Sequence, residues 1–339
     1  MFFVTYHQLN GNVHAYKDDG TLLEKKVLDV SGVELRGIYL ESSQGNEYLY
    51  VVDGSKKESK IYCFKGAGTS YKKLDNFLTP KHADSIDHPF ALAFDRQGNC
   101  FVSNQDTNVV AAFSVSSDGL KAKPEAVASY LTTLYPSGKF LQGTLAASCE
   151  ANLPNAPQTD GVQAVPKELG GLDIKINTAA KKPKVQNSVR DVACCNLNYK
   201  GETIPLLFIV DEPAGLVRVY DPGTGKPLMS SNSLQSPVHL LITGGTIYVG
   251  AKDQVLSSPV PNPYDPNAPD WVFTPVNFSP ALPKGESVSG MAFDKHGNFH
   301  VAIRTKKQVM KYDSKFKHGT QWLADPLPDF PEFLLYVPD

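Results

Sequence analysis

Four basic side chains and two histidines carry the chemistry this chain has to offer: Arg36, Arg190, Lys252 and Arg304, with His88 and His239. Cations gathered where water is excluded bind an anionic or carbonyl-rich small molecule. One charge-assisted hydrogen bond in such a place contributes about 1.5 to 3 kcal/mol. An imidazole beside those cations is a general base of the lactonase or lyase type, taking a proton while the cation stabilises an enolate or oxyanion. His88 and His239 are the candidates for that role. All six residues are far apart in sequence, and no nucleophile elbow, phosphate loop or zinc signature accompanies them. Only the fold can bring them together.

The elements that must do so repeat. Pro89–Val102 ends a short apolar strand in Phe94-Asp95, turns at Gly98-Asn99 and begins a second strand; Ser289–Val301 does the same through Phe293-Asp294 and Gly297-Asn298. Looser copies start at Leu35, Val189 and Pro237, each followed by a Val-, Ile- and Tyr-rich strand and then a third. Helical spacing of apolar residues is scarce, so the class is all-β. A unit repeated at intervals of tens of residues is the mark of a modular array. Here it predicts a β-propeller of four-stranded antiparallel blades.

The chain opens inside such a unit, with Phe2–Tyr6 as a second strand and Asn12–Tyr16 leading into a third. The terminal run Glu332–Val337 is the missing inner partner. The two ends then share a blade and close the ring, which removes exposed sheet edges. The recognisable units make about six blades. Residues 116–187, with the alternating run Leu172–Ile176, read as a degenerate seventh blade; the alternative is six blades with a long insertion there. Either way residues 1–339 form a single domain.

The unit resembles the NHL repeat and, more broadly, the gluconolactonase-like and strictosidine-synthase-like propellers, on the Pro89–Val102 pattern, its echo at Ser289–Val301, and the closing strands Val109–Phe113 and Val217–Tyr220. The resemblance implies a propeller without fixing its activity, since such rings host hydrolases, lyases and passive binding platforms. Gluconolactonase-like members hold a divalent cation in the channel. The resemblance therefore implies a Ca²⁺ or Mg²⁺ site here, with Glu34, Asn104, Asp106, Asn187 and Asp211 as its nearest oxygen donors.

In a propeller the inner strands start on the face where second strands hand over to third strands. Arg36, His88, Arg190 and His239 come to that mouth from strand starts, and Asn104, Asp106, Asp211, Lys252 and Arg304 from handovers. These nine residues are the candidate ligand-binding set. The bland alternative is that the bases pair with Asp53, Asp106, Asp211 and Glu212 and merely neutralise the channel. The expected function is a propeller holding an anionic or conjugated organic ligand, such as a pigment, at the channel mouth. A lactonase- or lyase-type enzyme is the alternative, and a protein-interaction scaffold the second.

Composition narrows the partners. A net charge of -2 gives no general attraction for nucleic acid or an anionic membrane, and no window is apolar enough for a spanning helix. Five cysteines with no Cys-x-x-Cys pair read as buried reduced thiols, with Cys194 and Cys195 on opposite faces of one strand. With no leader-like N-terminus, the expected compartment is cytoplasmic.

Overall fold

The computed structural model describes residues 1–7, 12–30, 34–43, 46–55, 59–79, 86–96, 98–106, 109–113, 130–134, 162–164, 174–176, 189–223, 225–323 and 327–338. Among them are six four-stranded antiparallel sheets. Blade 2 runs from its inner strand Leu35–Ser43 to Ser70–Leu78, blade 3 from Pro89–Phe94 to Tyr130–Leu134, and blade 4 from Val189–Tyr199 to Pro227–Ser230. Blade 5 runs from Pro237–Thr243 to Thr274–Pro275, and blade 6 from Val288–Phe293 to Thr320–Gln321. Blade 1 is made from both ends of the chain: Pro331–Tyr336 is its inner strand, followed by Phe2–Tyr6, His14–Tyr16 and Leu22–Glu24.

The ring closes where the terminal strands pair, with Phe2 opposite Tyr336, Phe3 opposite Leu335 and Val4 opposite Leu334. The Met1 ammonium donates to the Val337 carbonyl at 2.8 Å, and the Val337 amide donates back to Met1 at 2.8 Å. Phe2, Phe3 and Val4 are fully buried in this strand. Burying each such side chain contributes about 1.5 to 3 kcal/mol, enough to hold a closure that has no covalent bond.

Six hydrophobic clusters fill six seams, one between each neighbouring pair of blades. The seam between blades 3 and 4 decides the blade count. Phe90 and Ala91 of one inner strand share a cluster with Val189 and Val192 of the next, so those strands pack side by side with no blade between them. The expected seventh blade is therefore absent from the ring among the described residues. Ile174–Ile176 does form a strand, but it pairs with Val162–Ala164 in a two-stranded hairpin.

The repeat motif is a folding device. Asp95 Oδ1 accepts the Asn99 amide and Oδ2 accepts Asn99 Nδ2, both at 2.8 Å; Asp294 and Asn298 repeat both bonds at the same lengths. Gly98 and Gly297 between them take φ of 82° and 77°, which residues with a Cβ adopt only under strain. Cys194 packs against the seam on one side of blade 4 and Cys195 against the other, as strand alternation requires. The four described cysteines are free. No described helix is long and apolar enough to cross a membrane.

Candidate functional site

One backbone hydrogen bond recurs around the ring and sets the mouth. The first residue past a blade's second strand donates to the carbonyl just ahead of its inner strand. The pairs are Gly54 to Glu34, Gln105 to His88, Lys252 to Ser236, Arg304 to Ser287 and His7 to Phe330, at 2.8 to 3.2 Å. A β-bulge follows at the start of the inner-strand pairing in every blade. A bulge adds a residue on one strand and re-aims side chains, so two successive positions can reach the same space. Arg36, Phe90, Arg190 and Glu332 reach the mouth from the second inner-strand residue, and His239 reaches it from the third. His88 and Ser236, each just before a proline, take left-handed φ of 50° and 46°.

The result is a cavity of about 540 Å³ lined by all six blades. That volume suits a small organic ligand. Its wall is a chain of paired charges. Arg190 Nε donates to Glu212 Oε2 at 2.6 Å within blade 4, and His88 Nδ1 lies 3.0 Å from Asp106 Oδ1 within blade 3. Across the seam between blades 6 and 1, Arg304 Nε donates to Glu332 Oε2 at 2.8 Å. Across the next seam Arg36 meets His7 Nδ1 and also donates to the His7 carbonyl at 3.3 Å. Arg36 Nη2 donates to Glu34 Oε2 at 3.3 Å, and Glu332 faces His7 at 3.5 Å.

Burial makes these charges matter. Glu332 is 4% exposed and Arg36 3%. Burial alone pushes the Glu332 carboxyl up; the His7 hydrogen bond and the charges of Arg36 and Arg304 outweigh it and hold Glu332 well below the usual carboxylate range. Burial lowers Arg36, with Glu332 and Glu34 opposing and Arg304 and Arg190 adding to it. The three arginines therefore share one field.

Phe90 and His239 bring aromatic rings to the cavity wall, with Phe333 and Asp191 packed around His239. His239 is 2% exposed, its ring 5.4 Å from Phe90 and 4.7 Å from Phe333. Burial drops its pKa to about 4; Glu332 opposes, and Arg304, Arg190 and Arg36 reinforce the drop. Its Nδ1 has no hydrogen-bond partner among the described residues. Asp191 Oδ2 is 4.0 Å from that nitrogen, too long for a hydrogen bond. The Asp191 oxygens instead accept the Val192 and Leu240 amides at 2.9 Å, and burial still pushes its carboxyl up to about 7.

Of the expected ligand-binding residues, Arg36, His88, Asp106, Arg190, His239 and Arg304 line the cavity, together with Glu34 of the expected metal set. Three others do not. Asn104 is fully buried and spends its amide on the Val102 carbonyl and its oxygen on the Asp87 amide. Asp211 turns into blade 4, where it forms a buried ion pair with Arg218 at 2.7 Å. Lys252 is absent from the cavity wall, its backbone serving as the link between blades 5 and 6. Asn187 lies outside the described residues.

The oxygens expected around Ca²⁺ or Mg²⁺ are thus split between wall and blade interior. Among the described residues no three His, Cys, Asp or Glu side chains gather as a metal site. Asp53, one of the expected neutralising acids, accepts the Ser55 and Glu34 amides and the Tyr62 hydroxyl. Sequence reasoning missed Glu332, Phe90 and Asp191. The available signal was their place in the second and third inner-strand positions, aligned with Arg36 and His239.

No family model matches the sequence, and no curated protein matches it, so the NHL resemblance rests on the repeat residues alone. Solved structures do share the fold. A nidogen/laminin complex superposes with a TM-score of 0.52 at 10% identity, covering 98% of this chain and 97% of that one. A protein of unknown function from Bacteroides caccae gives 0.52 at 12% identity with the same coverage of 98% and 97%. A protein from Lactobacillus plantarum gives 0.51 at 14%, over 94% of this chain and 80% of its own.

Proposed function

We propose that the mouth of this propeller binds a small organic molecule through a carboxylate or a similar oxygen-rich anionic group. One observation carries the reading. Arg190 and Arg304 are each fixed twice, by an Nε bond to a glutamate and by a phenyl face, Phe90 and Phe330, at 5.4 Å. Their Nη donors have no hydrogen-bond partner among the described residues, and both side chains line the cavity. A guanidinium held by its Nε edge presents the fork that matches a carboxylate. Losing one such bond costs about 1.5 to 3 kcal/mol, or roughly 10- to 150-fold in affinity. Isothermal titration with a panel of organic acids should give saturable binding that Arg190→Gln and Arg304→Gln each weaken at least tenfold. Binding untouched by both variants overturns the reading.

A second reading, catalysis, draws on the His88–Asp106 pair. An imidazole oriented by a carboxylate has its tautomer fixed and its resulting cation stabilised, as a general base requires. His239 is the poorer base: a pKa of about 4 leaves it with little affinity for a proton at neutral pH. Lactone turnover by the native chain, abolished by His88→Ala and spared by Phe333→Leu, is the expected signature. No turnover on a lactone panel removes this alternative and leaves ligand binding standing.

A further inference from the structure

The cavity wall is close to neutral, and that constrains the ligand. Three arginines face Glu34, Asp106, Glu212 and Glu332. Whether His7 and His88 carry protons or not, the balance stays within one unit of zero. Such a wall offers no net field to a polyanion, because each added negative charge meets carboxylates as well as guanidinium groups.

The charges are paired, yet the pairs leave unused atoms of both signs. Glu34 and Glu212 use only Oε2 on their arginines, and their Oε1 atoms have no hydrogen-bond partner among the described residues. Glu34 and Arg304 are each 29% exposed, one on blade 2 and the other on blade 6, with blade 1 between them. Unused donors and unused acceptors therefore share one cavity of about 540 Å³. A purely anionic ligand satisfies the first and leaves the second facing its own charge.

We infer that the ligand is zwitterionic: a carboxylate seated on the Arg190 and Arg304 forks, and a cationic nitrogen donating to Glu34 and Glu212. This rests on the carboxylate reading above and adds the second pole. The ammonium end supplies donors only, which suits carboxylate oxygens. Like-charged ends are rejected on either side, so the same wall selects against dicarboxylates and diamines.

The test is a ladder of ω-amino acids from 3-aminopropanoate to 8-aminooctanoate, titrated calorimetrically against length-matched fatty acids and alkylamines. One or more amino acids should bind at least tenfold more tightly than both single-charge analogues, and Glu34→Gln and Glu212→Gln should each erase most of that advantage. Circular dichroism of the variants confirms that the ring is intact. If the plain acids bind as tightly as the amino acids and still need Arg190 and Arg304, the zwitterion inference fails and the carboxylate reading survives. If no member of the ladder binds, both fail.

Discussion

Glu332→Gln is the most informative single change in this molecule. The substitution keeps the side chain's shape and one acceptor oxygen, but removes the one negative charge shared by Arg304, His7 and Arg36. Arg36, 3% exposed, is left with Glu34 at 3.3 Å as its remaining carboxylate. Stripping a partner from a buried charge costs about 3 to 5 kcal/mol. Arg304 keeps some water, and the glutamine oxygen still accepts its Nε, which puts the expected loss near the lower end, about 3 kcal/mol. For a domain of this size that is a fall in Tm of roughly 4 °C.

The pH dependence fixes the mechanism. A carboxyl whose folded pKa is depressed contributes stability above its unfolded value and loses it as pH falls through the folded one. The ordinary value for Glu332 is 4.5. The gap between native and variant proteins in urea unfolding should then be the same at pH 7.5 and pH 5.5, and begin to close only below 4.5. A gap under about 0.5 kcal/mol at pH 7.5, or one that closes between pH 7.5 and 5.5, refutes the reasoning. Arg304→Gln made in both backgrounds isolates the pairwise share.

Acid should weaken the ring by a different route. His14, His239 and His300 are each held at about 4 by burial, so below 6.5 the unfolded chain takes protons that the native fold refuses. Each withdraws about 3 kcal/mol by pH 4, and Asp191, raised to about 7, returns about 4 over the same interval; the net loss of roughly 5 kcal/mol should appear in the urea midpoint, and a flat midpoint contradicts it. Gly290→Ala places a Cβ 2.5 Å from the Leu334 amide nitrogen and 2.7 Å from Phe333 backbone atoms. Because backbone cannot swing aside, a loss of about 2 to 3 kcal/mol is expected in thermal unfolding. Asp95→Ala and Asp294→Ala each remove a carboxylate that orders a Gly-Asn turn. Asp95→Ala should cost about 2 kcal/mol and Asp294→Ala more, since Asp294 also holds His300 and Lys311, while both leave ligand affinity unchanged; a selective loss of binding would show that the turn serves the site.

The architecture was legible because its signals are local. The Phe-Asp and Gly-Asn pairs encode a turn whose hydrogen bonds are made within five residues, and the apolar termini encode the closing strand pair. The ring has the six blades of the alternative count among the described residues, and the seventh fails for a physical reason. Alternation in Leu172–Ile176 specifies a two-faced strand, and says nothing about which sheet that strand joins. Architecture alone places Arg36, Arg190 and Arg304 at one channel mouth, and all three line the same cavity, but the bulges defeat finer placement. Asp211 and Glu212 are adjacent, and a one-residue difference sends the first to Arg218 inside the blade and the second to Arg190 on the cavity wall. Asn104 and Asp106 divide in the same way, one buried among backbone groups and the other on His88.

The terminal strand both closes the ring and supplies Glu332 to the cavity wall, and only the first duty leaves a pattern in the sequence. The Arg190–Glu212 and His88–Asp106 pairs each lie within one blade and need only its own hairpins. The Arg304–Glu332 and Arg36–His7 contacts cross the two seams of blade 1, the blade assembled from both chain ends. Half of the charged wall therefore exists only while the ends are paired. Site and closure are coupled in both directions: a ligand that engages Arg304 binds only the closed ring, and must stabilise it by mass action. Ligand should then slow amide exchange at Phe2–Tyr6 and Pro331–Tyr336 more than in blade 4, although Arg190 in blade 4 touches the same cavity.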